Sequence, residues 1–310
     1  MAPGARFALA AVLSAVGFVL TYVMLIRTAA GQEIENLALR GARQEFEDLK
    51  ASSLAELQEI SMAAFAIAIV LVMAVALLRR KPILAATTAL VMGSSVVLAE
   101  VLKHFLPRPE LVAAPPGWLN NSFPSGHVTV AVAIGIGAVL VAPYALRWLV
   151  AIGAALYAAG IGMDVATAGW HRLSGAIGAT LLVLAVASIA LLLMTRFDRV
   201  QRFDGRRLVG AITATLALGV VSLGLGGVGV VSGFGRLLPV PLEPTPSDQL
   251  LAYSSTLLTA AGVIALAFLA FLWLIRPYRI DEGVPSATEH PGTFAVTSTA
   301  STKERFSRSA

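Results

Sequence analysis

The 310-residue sequence has no cysteine, which excludes disulfides, thiolate metal sites and a cysteine nucleophile and leaves the redox compartment open. Charge is scarce as well. Asp, Glu, Lys and Arg make up 13% of the chain and hydrophobic types 57%, against about 25% and about 45 to 50% in soluble domains. With a mean hydropathy of +0.81, this composition excludes an ordinary soluble domain and points to a membrane protein. Histidine is rare too, with four in the chain, so a histidine standing beside other polar groups invites a chemical explanation.

What the sequence does have is long apolar runs. Eight stretches approach the roughly 20 residues that cross a bilayer: Phe7 to Ile26, Ile60 to Leu78, Pro82 to Leu102, Val128 to Leu146, Trp148 to Met163, Leu173 to Met194, Leu208 to Val231 and Leu250 to Ile275. They lack the alternation of barrel strands, and hydrocarbon offers no water to backbone groups, so helices are expected. The fold expected is an all-α, polytopic membrane bundle with about eight transmembrane helices. The first run is read as a retained span rather than a cleaved signal peptide, because the RTAAGQEI after it carries no clear cleavage pattern.

Basic residues set the expected orientation. With the N-terminus inside, the inner turns hold Arg79-Arg80-Lys81, Arg147, the run Arg196, Arg199, Arg202, Arg206 and Arg207, then Arg276 and Arg279, as the positive-inside rule requires. Both termini are then cytoplasmic. The net charge of +5 needs no nucleic acid to explain it. The four tryptophans, Trp118, Trp148, Trp170 and Trp273, fall at span ends, as interfacial anchors do. The first outer segment, Gln32 to Glu59, carries seven acids against three bases and reads as a solvated amphipathic helix. The EPTPSDQ stretch reads as a polar loop, and residues 281–310 as a disordered cytoplasmic tail. A GxGxxG string at Gly224, Gly226 and Gly229 lies within an apolar run rather than after a strand. It reads as small residues packing against another helix, not as a dinucleotide site.

Three polar clusters fall on the outer side: KHFLPRPE with Lys103 and Arg108, FPSGH with Ser125 and His127, and DVATAGWHR with Asp164, His171 and Arg172. Each alone has a plain structural explanation, as snorkelling cations, a helix start or an interfacial histidine. Together they make an anion site. Lys103 offers a point charge and Arg108 a planar fork. The N–H groups of Ser125, Gly126 and His127 at a helix N-terminus make a seat for phosphate, and Gly126 lets the backbone approach closely. Two histidines can supply a nucleophile and a proton donor for phosphoryl transfer. Glu100, inside a span, is expected to pair locally with Lys103 or His104.

These residues resemble the three signature motifs of the type 2 phosphatidic acid phosphatase superfamily, which also contains vanadium haloperoxidases and glucose-6-phosphatase. The likeness runs from Lys103 to Pro109, through PSGH at Pro124 to His127, to GWHR ending at Arg172, and covers roughly Ile60 to Met194. It implies a six-helix phosphatase core within residues 1–206, with two additional spans in 207–280. The resemblance gives His171 the role of nucleophile forming a phosphohistidine, and gives His127 that of leaving-group acid. Lys103, Arg108, Ser125 and the Gly126 amide would hold the phosphoryl oxygens. It implies no metal, no cofactor, and a membrane lipid phosphate or pyrophosphate as substrate at the outer face. Phosphatidic acid, phosphatidylglycerol phosphate, polyprenyl pyrophosphates and prenyl-linked sugar phosphates fit equally.

The sequence also departs from the pattern. The usual first motif has six residues between its lysine and Arg-Pro, and here four separate Lys103 from Arg108. The third motif ordinarily reads Ser-Arg, five residues, His, three residues, Asp, but Asp164-Val165 and Gly175 occupy the flanking positions. Arg172 is the candidate replacement for the arginine, and Asp164 or Glu110 for the orienting carboxylate, with Asp164 equally readable as a cap or a partner of Arg172. An alternative function follows from the same departures: a catalytically weakened relative that binds phospholipid headgroups or serves as a subunit in envelope assembly.

Overall fold

The computed structural model describes residues 2–44, 47–59, 61–114, 121–202 and 208–281. Each of the eight apolar stretches is helical over most of its described length. In chain order the helices are α1 (Pro3–Thr21), continued by a π turn at Tyr22–Ile26, α2 (Ala29–Ala42), α3 (Glu47–Glu59), α4 (Met62–Leu78), α5 (Pro82–Phe105) and α6 (Gly126–Val141). They are followed by α7 (Arg147–Thr167), α8 (Leu173–Arg196), α9 (Leu208–Val221), a π turn at Ser222–Gly226, α10 (Gly227–Leu237) and α11 (Pro246–Ile275). Two short strands, β1 (Val200–Arg202) and β2 (Tyr278–Ile280), pair antiparallel. The 281–310 tail, apart from Asp281, lies outside the described residues, as do Trp118, Arg206 and Arg207.

Among the described residues, six helices are long and apolar enough to cross a membrane: Pro3–Ile26, Pro82–Phe105, Arg147–Thr167, Leu173–Arg196, Ile212–Leu237 and Pro246–Ile275. By length and composition these confirm six of the eight expected spans, or seven if the bent α3–α4 pair is one span. The second stretch belongs to a pair of helices bent by 60° between Lys50–Gln58 and Met62–Leu78. The fourth stops at Val141 rather than Leu146, leaving α6 with 16 residues, about 24 Å at the helical rise and short of the ~30 Å hydrocarbon core. This short helix is the centre of the bundle, buried at 12 positions between Val128 and Val141, with α5, α7 and α8 around it. Large apolar side chains on α1, α4 and α9, such as Leu13, Val70 and Leu216, are exposed, as lipid-facing surfaces are.

Helix starts follow from local chemistry. Pro3 and Pro82 sit in first turns, where a missing N–H costs nothing. Thr245 and Asp248 form a reciprocal capping box. The second half of EPTPSDQ is therefore the opening turn of α11 rather than loop. The GxGxxG string packs as expected at two of its three glycines. A Cβ on Gly226 would lie 3.1 Å from the Gly262 backbone and one on Gly229 2.5 Å from Thr259 Oγ1, whereas Gly224 faces open space. The last two spans share the apolar core of the rest, with Ala214, Leu218, Ala260 and Phe268 buried among residues of α6 to α8.

The two ends of the bundle differ. At one end the basic turns hold helix termini together. Arg79 donates to the Val141 carbonyl, Lys81 Nζ to the Ile280 carbonyl at 3.0 Å and Arg147 to the Tyr278 carbonyl at 3.0 Å. Asp281 accepts from the Leu84 amide at 3.0 Å and pairs with Arg199 at 3.4 Å. The opposite end receives the end of α5, the start of α6, the α7–α8 turn and α2, and all three polar clusters meet there.

Candidate active site

Lys103 lies in the last turn of α5. Its ammonium is 2.6 Å from Glu100 Oε1, three residues back on the same face, so the intramembrane carboxylate is paired as expected. His104 turns away, with Nδ1 2.8 Å from the Glu100 carbonyl. A Cβ added to Gly126 would stand 3.2 Å from Lys103 Nζ and 3.1 Å from Glu100 Oε1. The lysine therefore reaches the first turn of α6, and a side chain at position 126 would push against it.

Ser125 is the N-cap of α6 and fully buried. Its Oγ accepts from the Val128 amide at 3.4 Å, and its own N–H donates to the Gly175 carbonyl at 3.0 Å. The expected anion seat is corrected accordingly: the Ser125 amide is spent on joining two loops, and the Gly126 and His127 amides form the open turn. The His127 ring stands 6.2 Å from the His171 ring and 5.4 Å from the Trp170 ring, centroid to centroid. The two rings meet edge to face, at 61°.

His171 lies in the turn between α7 and α8. Its Nδ1 is 3.0 Å from the Ser122 carbonyl oxygen. A carbonyl can only accept, so Nδ1 carries the proton and Nε2 keeps the lone pair. Nε2 has no partner among the described residues. Burial lowers the His171 pKa to about 4; the bond to Ser122 opposes this, and the charges of Lys103, His127 and Arg172 add to it. The imidazole is therefore neutral near neutral pH, the form a nucleophile needs.

The partner of His171 Nδ1 is thus a backbone carbonyl, not a carboxylate. Asp164 accepts from the Ser53 hydroxyl of α3 at 2.9 Å, and Glu110 is exposed. Gly175 borders this contact. A Cβ there would lie 3.1 Å from the Ser122 oxygen and 3.6 Å from His171 Nδ1, so position 175 faces the same ring nitrogen. The glycine leaves that space to the carbonyl. The loop presenting it is anchored on both sides: Phe123 is buried against the Phe18 and Tyr22 rings and over Gly178. The Asn121 amide donates to the Lys103 and Leu106 carbonyls at 3.0 and 2.6 Å and accepts from the Phe123 N–H at 3.1 Å.

The arginines are organised by α2. Its polar face is buried rather than solvated: Gln32, Glu35 and Asn36 are 2%, 3% and 4% exposed. Gln32 donates to the Ile26 and Pro109 carbonyls at 2.8 and 2.7 Å and accepts from the Leu111 N–H at 3.3 Å. Glu35 pairs with Arg108 at 3.1 Å and accepts from the Ser174 N–H at 2.8 Å. Asn36 accepts from Arg172 at 3.4 Å. Burial first, then the nearby Arg108, lowers the Arg172 pKa to about 10, with Glu35 opposing, so the guanidinium stays charged.

The site therefore brings together His127, His171, Lys103, Gly126 and Arg172, reaches Arg108 through Glu35 and Arg172, gives Ser125 a structural place and pairs Asp164 with Ser53 instead. Ser122, Asn121, Glu35 and Asn36 were not visible as site residues in the sequence. A backbone carbonyl carries no residue signature, and the acids of α2 read as solvent-facing. Comparison of the chain with models of known protein families, with curated proteins and with solved structures finds no match.

Proposed function

We propose that the protein is an integral-membrane phosphatase that removes phosphate from a lipid phosphate or pyrophosphate through a phosphohistidine. The observation that carries this reading is the state of His171, a neutral imidazole with Nδ1–H tied to the Ser122 carbonyl, beside His127, Lys103 and Arg172. Nε2 attacks phosphorus, the bond to the leaving oxygen breaks, and His127 gives that oxygen its proton. Water then attacks the phosphohistidine, His127 takes a proton from it, the N–P bond breaks, and both rings return to their starting forms. The lysine, arginines and α6 amides meet the charge on the phosphoryl oxygens.

In this reading the bundle spans the membrane eight times, counting the bent α3–α4 pair and the short α6. The basic end and both termini face the cytoplasm, and the site faces outward, where a substrate's tails remain in the bilayer. Purified protein in detergent, offered a panel of lipid phosphates and pyrophosphates, is expected to release inorganic phosphate from at least one class. Headgroup binding without release from any of them would favour the weakened relative instead.

Two further results are expected. The acid limb of kcat/KM falls near pH 4 rather than near 6.5, because protonating Nε2 removes the nucleophile and burial holds that pKa at about 4. A pH profile measured with a substrate ionised throughout that range checks this. Gly175→Asp lowers activity, by roughly tenfold, since carboxylate and carbonyl then compete for one N–H and one buried acceptor goes unsatisfied at about 1 to 3 kcal/mol. The added negative charge also raises the His171 pKa, moving the acid limb upward. A rise in rate would show that the carbonyl is an inadequate orienting group.

A further inference from the structure

Glu35 lies on α2, in a segment whose composition reads as solvent-facing, yet its side chain is 1% exposed. An ion at that depth is retained only where other groups replace its lost hydration. Three do so here. Arg108 Nη1 reaches Glu35 Oε2 at 3.1 Å, the Ser174 amide reaches Oε1 at 2.8 Å, and Ser174 belongs to the first turn of α8, the positive end of that helix. The carboxylate thus engages one corner of a planar guanidinium while its other oxygen is fixed to the backbone.

The other corner of Arg108 is different. Its side chain is 5% exposed, and Nη2 is buried with no hydrogen-bond partner among the described residues. A buried charged donor without an acceptor is costly and calls for an explanation. A rigid fork pinned at Nη1 holds Nη2 in a set direction, unlike a lysine, whose donors rotate. Arg172 lies close enough for the two guanidinium charges to repel, and Arg172 in turn bears on His171. Asn36, the next residue of α2, accepts from Arg172. One helix turn therefore holds both arginines, Arg172 beside His171 and Arg108 next to Arg172.

From this arrangement we infer that Glu35 is a positioning residue for phosphate recognition: it offsets one charge of the Arg108–Arg172 pair and aims Arg108 Nη2 at a phosphoryl oxygen. The inference rests on the phosphatase reading and adds to it a carboxylate that never touches substrate. It also answers a question the sequence raises, namely how a first motif shortened to four intervening residues can still deliver its arginine. The partner that fixes Arg108 comes from α2, outside the motif-bearing stretch.

The test is inhibition by inorganic phosphate, measured on full-length protein in detergent with folding checked by thermal melting. Glu35→Gln keeps the shape and an oxygen for Ser174 but removes the charge. Its inhibition constant for phosphate is expected to rise roughly tenfold, in the range typical of coupled neighbours, with kcat/KM falling by a similar factor for every substrate irrespective of its lipid portion. In an Arg108→Ala background the same substitution is expected to change the constant less than twofold. A merely structural role would lower the melting temperature and leave the constant of the folded protein unchanged, and that result would overturn the inference. So would an equal effect with and without Arg108. Should Glu35→Gln not fold, Glu35→Asp carries the test, since a shorter carboxylate draws the fork out of place and the constant still rises; no rise would overturn it. Wild-type protein that neither releases nor binds phosphate would instead remove the phosphatase reading itself.

Discussion

His171→Gln is expected to release no phosphate above background, a loss on the order of 10⁴-fold or more, as when a nucleophile is deleted from a catalytic unit. Glutamine makes this a demanding test. Its amide can still donate to the Ser122 carbonyl, now 3.0 Å from Nδ1, so the loop joining the two motifs keeps its closing hydrogen bond. What disappears is the lone pair at Nε2. The Ser125-to-Gly175 bond at 3.0 Å holds the same loops independently, so folding should survive. Inorganic phosphate should still bind, because Lys103, Arg108 and the α6 amides remain. Steady-state phosphate release and phosphate affinity, measured on the same preparation, check both halves of the expectation.

His127→Gln is expected to cost on the order of 10²- to 10⁴-fold with alkyl phosphates, whose leaving oxygen needs a proton as it departs. With an aryl phosphate the leaving group departs without that help, and the first step recovers. The second step does not, since the same side chain takes the proton from the attacking water. The variant should therefore give a burst of aryl alcohol equal to the enzyme present, followed by slow turnover with phosphoenzyme accumulated. Stopped-flow absorbance reads the burst directly. Slow, burst-free release from both substrate types would place His127 outside the proton path, despite its ring lying 6.2 Å from that of His171.

The membrane bundle was legible in the sequence because hydrocarbon leaves the backbone few choices, and each apolar run holds a helix over most of its described length. The count was less secure, since α6 ends at Val141 where an apolar run continues past a proline, and composition alone does not locate that break. PSGH was legible as a helix start because a cap is local, with Ser125 reaching only three residues onward to Val128. Long-range pairings were not. The GWHR turn shows a histidine with no carboxylate at the spacing expected, and its partner is the main chain of Ser122, 49 residues away. Alpha helix 2 misled for a related reason. Its charges suggest water, while Glu35 and Asn36 find their partners in Arg108, Ser174 and Arg172, which no periodicity within α2 reveals. Gly175 changes meaning in the same way: beside His171 it reads as a loss, and in three dimensions it is the space in which a carbonyl does the orienting.

The central claim is a covalent phosphohistidine at position 171, and rapid-quench trapping tests it most directly. His127→Gln, which slows hydrolysis of the intermediate, is mixed with radiolabelled aryl phosphate, denatured within the burst and digested. The expected result is label that is stable to alkali, labile to acid, and confined to the peptide containing His171. Label on another residue, or phosphate released at the full burst rate with no label on the protein, would contradict the account.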